Sequence, residues 1–272
     1  MKVVTDNKHY NDIADAIREK TETEKIYYPE EMASGVNEAF EAGQASIIEK
    51  NVKHLRNNFV VSVSDYAFYY DTSLESVDLP MATSIGGRAF YGNTSLKNID
   101  LPMVTSIDTY AFYGDTSLES VDLPMATSIG GSAFYNNTSI ESVDLPMATS
   151  IGGSAFYGNT SLKNIDLPMV TSIDNAVIRA CTSLKNIDLP MVTSIDTYAF
   201  YGDTNLTSII LRSSNVCTLR ATNSFNNTPI KSGKGFIYVP SSLVETYKTA
   251  TNWSSYATQI RAIEDYPDIT GG

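Results

Sequence analysis

The sequence has little of what most catalytic and metal centres are built from. It contains two histidines, two cysteines and one tryptophan in 272 residues. His9 and His54 have no histidine or cysteine partner at the spacing of a metal site. A Gly-x-Ser-x-Gly nucleophile turn and a phosphate-binding loop are both missing. These absences argue against an enzyme, and the sequence predicts neither a cofactor nor a metal ion.

Positive charge is also scarce. Lysine and arginine number 19 against 31 aspartates and glutamates, which gives a net charge of −12 at pH 7. Nucleic acids and anionic membranes attract basic proteins, so neither is an expected partner. No apolar run reaches the roughly 18 residues that membrane insertion needs. Residues 1–6 lack the apolar stretch of a secretory signal, so no signal peptide is visible there.

The two cysteines are too few for a disulfide framework. Cys217 falls one period after Ile195, at a core position of the repeat described next, and is predicted to pack as a small apolar side chain. Cys181 falls at a turn position that other repeats fill with Asn or Asp. Because the two occupy different repeat positions, a bond between them is not expected.

What the sequence does contain is one motif repeated at a constant interval. A Leu-Pro pair marks each copy, with the leucine at Leu79, Leu101, Leu123, Leu145, Leu167 and Leu189. Leu211 keeps the spacing but is followed by Arg212, which indicates the end of the array. A fixed period of about 22 residues lies within the range of roughly 20 to 29 that is typical of leucine-rich solenoids.

Each repeat carries its apolar residues in a fixed order. Leu74, Val77 and Leu79 lie on one face of a predicted short strand, which the following proline ends. Residues 86–87 are predicted to form a bend, and residues 92–93 form the corner into the next coil. A single coil cannot bury its own apolar edge, so the coils are expected to stack.

These motifs resemble the BspA-like leucine-rich repeats, also called the Treponema pallidum type. The shared pattern runs Leu-x-x-Ile-x-Leu-Pro, then Ser-Ile-Gly-x-x-Ala-Phe, then a Cys-Thr-Ser-Leu corner that residues 181–184 retain. The resemblance implies an α/β repeat solenoid, a right-handed coil whose repeats each hold one short strand and a second extended or turn segment. It also implies non-catalytic adhesion, in which a secreted or cell-surface module recognises a host or bacterial surface protein or glycan.

Three parts are predicted along the chain. Residues 1–50 form a helical N-terminal segment, residues 51–219 the solenoid, and residues 220–272 a mixed C-terminal cap. Residues 51–72 are a degenerate first repeat. In the cap, residues 235–240 are predicted to be a strand and residues 241–250 a helix capped by Ser241 or Ser242, with Trp253 in its core.

The N-terminal segment has a second interpretation. Tyr10, Ile13, Ala14 and Ile17 follow the spacing of an amphipathic helix, which suits a cap on the solenoid. Residues 10–21 and 28–32 also resemble a leader segment of tail or baseplate proteins in prophages of Gram-positive bacteria. That resemblance implies the alternative of a virion-associated structural or receptor-binding protein.

The candidate binding residues form two outward columns on the first strand of each repeat. Stacked strands place successive copies about 5 Å apart. One hypothesis is a solvated ladder relieved by water and counterions; the other is a binding strip for a basic or polyhydroxylated partner. The acidic column is Asp78, Asp100, Asp122, Asp144, Asp166 and Asp188, and the polar column beside it is Ser76, Asn98, Ser120, Ser142, Asn164 and Asn186.

A column of tyrosines follows the inward phenylalanines, and either packing between coils or a contact surface would explain it. Its members are Tyr69, Tyr91, Tyr113, Tyr135, Tyr157 and Tyr201. Residues 95–116 and 183–204 are identical, so whole units have been copied. Copied units place the same residues in every coil, whereas a catalytic centre needs different residues at one place. The array is therefore expected to act through columns of residues.

Overall fold

The structure is a computed structural model, and it describes residues 53–270. The helical segment predicted for residues 1–50 lies outside these residues. Within them, each coil of the solenoid contributes two short strands. The first strands of successive coils are β1 (His54–Arg56), β3 (Ser76–Asp78), β5 (Asn98–Asp100), β7 (Ser120–Asp122), β9 (Ser142–Asp144), β11 (Asn164–Asp166), β13 (Asn186–Leu189) and β15 (Ser208–Leu211). The second strands are β2 (Ser62–Val63), β4 (Ser84–Ile85), β6 (Ser106–Ile107), β8 (Ser128–Ile129), β10 (Ser150–Ile151), β12 (Ser172–Ile173), β14 (Ser194–Ile195) and β16 (Thr218–Leu219).

The two strand series form two parallel ladders. Most partners are one repeat period apart, as Val77 and Ile99 are in the pairing of β3 with β5. The first ladder divides into three sheets, β1-β3-β5, β7-β9-β11 and β13-β15, and the third of these continues into the cap. The second ladder divides into two sheets, with the break between β10 and β12. Leu55 pairs with Val77, so the expected degenerate repeat is confirmed for its described residues. The parallel repeat solenoid is thus confirmed, but the expected α/β class is not, because residues 53–219 form only strands, turns and bends.

The core is a set of buried columns that run along the solenoid. Val77, Leu79 and Ile85 are each 1% exposed and point inward, as their spacing predicts. Phe90 and Phe112 stack with ring centres 5.0 Å apart, and the inward phenylalanines continue in this way from coil to coil. Each coil therefore covers the apolar edge of its neighbour.

The corners are held by buried polar side chains. The Asn137 carbonyl oxygen Oδ1 accepts the backbone N–H of Asp115 at 2.8 Å, and Asn159 does the same for Asn137 at 2.9 Å. The Asp115 carboxylate accepts the backbone N–H of Asn93 at 2.7 Å. Each side chain therefore satisfies a backbone donor in the preceding coil that would otherwise be buried without a partner.

Two residues in each coil turn the chain through the left-handed region. Gly92 has φ of +76° at the corner, where glycine carries no steric penalty. At the bend, neither Gly86 nor Gly87 takes a positive φ; the left-handed residue is Arg88, with φ of +56°. The glycines serve close packing instead, because a Cβ at Gly86 would lie 2.6 Å from the backbone nitrogen of Asp65.

The regular register ends after Leu211. Ile195 pairs with Leu219, whereas the constant spacing of the repeat would pair it with Cys217, so the last coil holds two extra residues. Cys217 therefore does not lie in the isoleucine column, but its side chain is buried in the core, which confirms the prediction that it packs as a small apolar residue. Cys217 and Cys181 are both free thiols, in line with the sequence prediction.

The cap covers the last coil with strands and short helices. β17 (Phe236–Val239) confirms the predicted strand and joins β15, and β18 (Ile260–Ala262) closes that sheet. A 3-10 turn over Ser241–Leu243 leads into α1 (Val244–Thr249), and no side chain caps either helix, so the predicted serine caps were wrong. The remaining 3-10 segments are Thr222–Phe225, Trp253–Gln259, Ile263–Asp265 and Pro267–Thr270. Trp253 is 1% exposed, and its ring N–H donates to the Cys217 carbonyl at 2.6 Å, which confirms its place in the core of the cap.

Candidate binding groove

Four neighbouring strands of the first ladder line one open groove of about 720 Å³. The strands are β7, β9, β11 and β13, and Ile210 of the following coil closes one end. Their outward residues alternate with buried ones, so the polar side chains face the groove while Val121 and Val143 anchor the strands. The polar lining consists of Ser120, Asp122, Ser142, Asp144, Asn164, Asp166, Asn186 and Asp188.

The groove brings together the central part of the two columns predicted from the sequence. Asp122, Asp144 and Asp166 lie directly opposite one another in register and are exposed. Neighbouring strands are about 4.8 Å apart, so these carboxylates are close enough to repel one another. Four predicted residues, Ser76, Asp78, Asn98 and Asp100, lie on β3 and β5 outside the groove lining.

Arginines neutralise the acidic column at its two ends. Arg56 lies 3.1 Å from the Asp78 carboxylate. At the other end Arg212 donates from Nε and Nη2 to Asp188, at 2.9 Å and 2.6 Å to the same oxygen. Hydrogen bonding to Asp188 raises the pKa of Arg212. Within residues 53–270, the aspartates between these ends make no ion pair with a lysine or arginine, so their negative charge is open to a partner.

The tyrosine column is packed along most of its length. The rings of Tyr91 and Tyr113 are parallel with centres 4.6 Å apart, and Tyr135 and Tyr157 repeat that distance. Each ring face inside the stack is covered by the next ring, so only ring edges are left at the surface. A sugar or an aromatic ligand stacks on a ring face, and the arrangement therefore favours packing between coils over a contact surface.

A further exposed column, made of methionines, was not predicted from the sequence. One methionine follows the Leu-Pro pair in each repeat, and all of them are between 45% and 52% exposed. The signal was present, because the Leu-Pro-Met triplet repeats without change. We call this set the methionine column: Met81, Met103, Met125, Met147, Met169 and Met191.

The rest of the described chain offers few alternative sites. In residues 53–270, no group of three or more His, Cys, Asp and Glu side chains is placed to hold a metal ion. None of the helices in this part of the chain has the length and apolar character needed to cross a bilayer.

Comparison with known proteins agrees with this architecture. The family model for the BspA type leucine rich repeat region matches residues 61–148 and 127–256, with six copies. The crystal structure of a T. pallidum leucine rich repeat protein superposes with a TM-score of 0.50 and 30% identity, covering 54% of this chain and 72% of that chain.

A leucine-rich repeat protein from Eubacterium ventriosum has a TM-score of 0.55 at 17% identity and covers 69% of this chain and 65% of that one, which shows a shared fold. Among curated proteins, none matches the sequence. Because the family model spans most of the chain, this protein belongs to the BspA-type leucine-rich repeat family.

Proposed function

We propose that the chain is a non-catalytic binding module that recognises a basic segment of a surface protein through the acidic groove. The observation that carries this proposal is the run of unpaired carboxylates between two arginine-paired ends. Asp122, Asp144 and Asp166 face an open groove and repel one another, so a cationic partner relieves a cost that the folded protein otherwise bears.

A protein partner fits the groove better than a glycan. The lining consists of Ser, Val, Asp, Asn and Ile residues and includes no aromatic ring for a sugar to stack on. Asp188 is already bound to Arg212, which shows that a guanidinium fits against this column. The same contact with two guanidinium donors is open to arginines of a partner at Asp122, Asp144 and Asp166.

Two alternatives belong to the same proposal. The family resemblance implies action outside the cell or at the cell surface. The virion alternative rests on residues 10–32, which lie outside the described residues. In both cases the groove would be the contacting face, and the location decides only whose surface is contacted. Genomic neighbours would distinguish the two, because tail and baseplate genes beside the gene would support the virion alternative, whereas an isolated locus would support the adhesin.

The groove can be tested with a defined cationic probe. The full-length protein is titrated into a fluorescent 12-residue peptide of alternating lysine and serine, and anisotropy is measured at low salt. The variant Asp122→Asn/Asp144→Asn/Asp166→Asn is expected to bind at least ten-fold more weakly. The control Asp65→Asn/Asp108→Asn/Asp174→Asn removes equal charge outside the groove and is expected to change affinity less than three-fold. An equal loss in both variants would show that net charge, not the groove, attracts the peptide.

A further inference from the structure

The methionine column stands beside the acidic groove. Each methionine follows an aspartate of the acidic column by three residues, as Met125 follows Asp122 and Met147 follows Asp144. Three residues span at most about 10 Å between their Cα atoms. The acidic and the methionine columns therefore run side by side along the solenoid, one step per coil.

The local fold holds every methionine at the surface. The backbone N–H of Ala126 donates to the Leu123 carbonyl at 3.1 Å, which closes a turn with Pro124 and Met125 at its centre. Leu123 and Ala126 are buried, so the turn presents its two central residues outward. The methionines of consecutive coils are each about half exposed, and clustered apolar side chains on the surface of a folded protein mark interaction sites.

We propose that the methionine column is the apolar half of a docking surface whose acidic half is the groove, and that its partner is a basic amphipathic helix. This inference rests on the proposed function and names the class of partner. Charge complementarity assigns the basic face of the partner to the aspartates. The adjoining methionines then require an apolar face on the same partner, because a purely basic chain would leave them in water.

The spacing of the two columns selects a helix over an extended peptide. The solenoid presents one aspartate and one methionine about every 4.8 Å. A helix that lies along the solenoid repeats each of its faces every turn, about 5.4 Å. An extended strand repeats a face every second residue, about 6.6 Å, and loses register with the coils within two or three steps.

The width of the surface and the flexibility of its methionine side chains also suit a helix. A helix with its side chains is about 10 to 12 Å across, so it is wide enough to cover two columns whose backbones lie no more than about 10 Å apart. Methionine is unbranched and flexible, so its side chain adapts to apolar residues of different shapes. The surface is therefore expected to accept a range of sequences that share the charged and apolar stripes.

Two peptides of identical composition test this inference. Both contain 18 lysine and leucine residues; one places them in two helical stripes, and the other alternates them. At about 150 mM salt, the unmodified protein is expected to bind the striped peptide at least ten-fold more tightly than the alternating one. The variant Met125→Gln/Met147→Gln keeps the side-chain length but not the apolar surface, and it should reduce that preference below three-fold.

The matched control is Met81→Gln/Met103→Gln, because the strands of these two coils, β3 and β5, contribute no residue to the groove lining, whereas β7 and β9 beside Met125 and Met147 do. It should retain the preference. The inference is overturned if the unmodified protein binds both peptides equally, or if Met125→Gln/Met147→Gln keeps the ten-fold preference. A third outcome separates the two proposals. If Asp122→Asn/Asp144→Asn/Asp166→Asn loses binding to both peptides while the methionine variants keep the preference for the striped peptide, the proposed function stands and the helical partner is rejected. Failure of both peptides to bind the unmodified protein would overturn both proposals.

Discussion

The guanidinium carbon of Arg179 lies 4.7 Å from the centre of the Tyr201 ring and 5.1 Å from that of Tyr157. Arg179 occupies the position that other repeats give to a tyrosine, one repeat period after Tyr157. A cation thus replaces one ring of the stack, and it contacts the rings on both sides. The tyrosine column therefore stays continuous across the one repeat that lacks an aromatic residue.

This contact predicts an order of stability among variants. Arg179→Ala should lower the free energy of unfolding by about 1 kcal/mol, because a cation–π contact at an exposed site contributes about 0.5 to 1 kcal/mol. Arg179→Tyr should lie within about 0.5 kcal/mol of the unmodified protein, since it restores a stacked ring. Urea denaturation followed by circular dichroism measures both. Equal loss in the alanine and tyrosine variants would contradict the cation–π interpretation.

The buried corner acids predict a pH-dependent stability. Burial raises the pKa of Asp115 well above its usual range, although the backbone N–H groups of Asn93 and Gly92 oppose the shift. Its second carboxylate oxygen has no hydrogen-bond partner within the described structure. A folded-state pKa above the unfolded value of about 3.9 means that the stability contributed by the bound proton is complete below that value and is lost as pH rises through the folded pKa.

Asp115→Asn should therefore stabilise the protein at pH 7 by an amount on the order of 1 to 3 kcal/mol, because the amide still accepts the Asn93 N–H but carries no buried charge. The gain should shrink as the pH approaches about 4, where the carboxyl group of the folded protein is neutral. The unfolding midpoint of variant and parent at several pH values measures the difference. The reverse change, Asn137→Asp, should destabilise at pH 7, and a gain from Asp115→Asn that does not vary with pH would refute this account.

A strained corner predicts a stabilising substitution. Ala180 has φ of +59° at the position where the next coil has Gly202, with φ of +83°. A left-handed conformation costs a residue with a Cβ roughly 1 to 2 kcal/mol, and glycine avoids this cost but loses some conformational entropy on folding. Ala180→Gly should raise the free energy of unfolding by up to about 1 kcal/mol. Gly202→Ala should lower it, and thermal unfolding compares the two.

The arginine at the end of the groove predicts a coupled change in stability and binding. Arg212 and Asp188 are 33% and 39% exposed, so their ion pair should contribute no more than about 1 kcal/mol. Arg212→Gln should reduce stability by that amount at low salt and by less at high salt. It also frees a fourth carboxylate, so the lysine-serine peptide should bind two- to three-fold more tightly. A double-mutant cycle with Asp188→Asn checks that the effect belongs to the pair.

Sequence periodicity was sufficient to predict the stacking of the coils. The pairing of Val77 with Ile99 follows directly from a constant spacing, and so does the alignment of Asp122 with Asp144. The same counting failed at Cys217, because two additional residues after Leu211 shift the last coil, and no Leu-Pro pair marks the change. Counting along a sequence detects an insertion only where the motif continues on both sides of it.

Other features of the site depend on how far a side chain extends and on where a coil lies in the array. Arg212 extends back across a coil to Asp188, which residue spacing does not reveal. The groove is lined by only four of the first strands, although β3 and β5 carry the same outward pattern, so the sequence pattern alone does not place it. The Leu-Pro-Met triplet marks the methionine column in the sequence, but the exposure of Met125 depends on the turn that buries Leu123 and Ala126 on either side of it.

Residues 95–116 and 183–204 are identical. Within the described residues, however, Asp100 of the first copy makes no ion pair, whereas the equivalent Asp188 of the second copy is bound by Arg212. The chemistry of a unit is therefore set by its place in the array rather than by its own sequence. Adding or removing an internal unit would lengthen or shorten the acidic column by one carboxylate and about 4.8 Å, and the arginines at its two ends would stay in place. The length of the acidic column can therefore change in whole units while each of its two ends stays paired with an arginine.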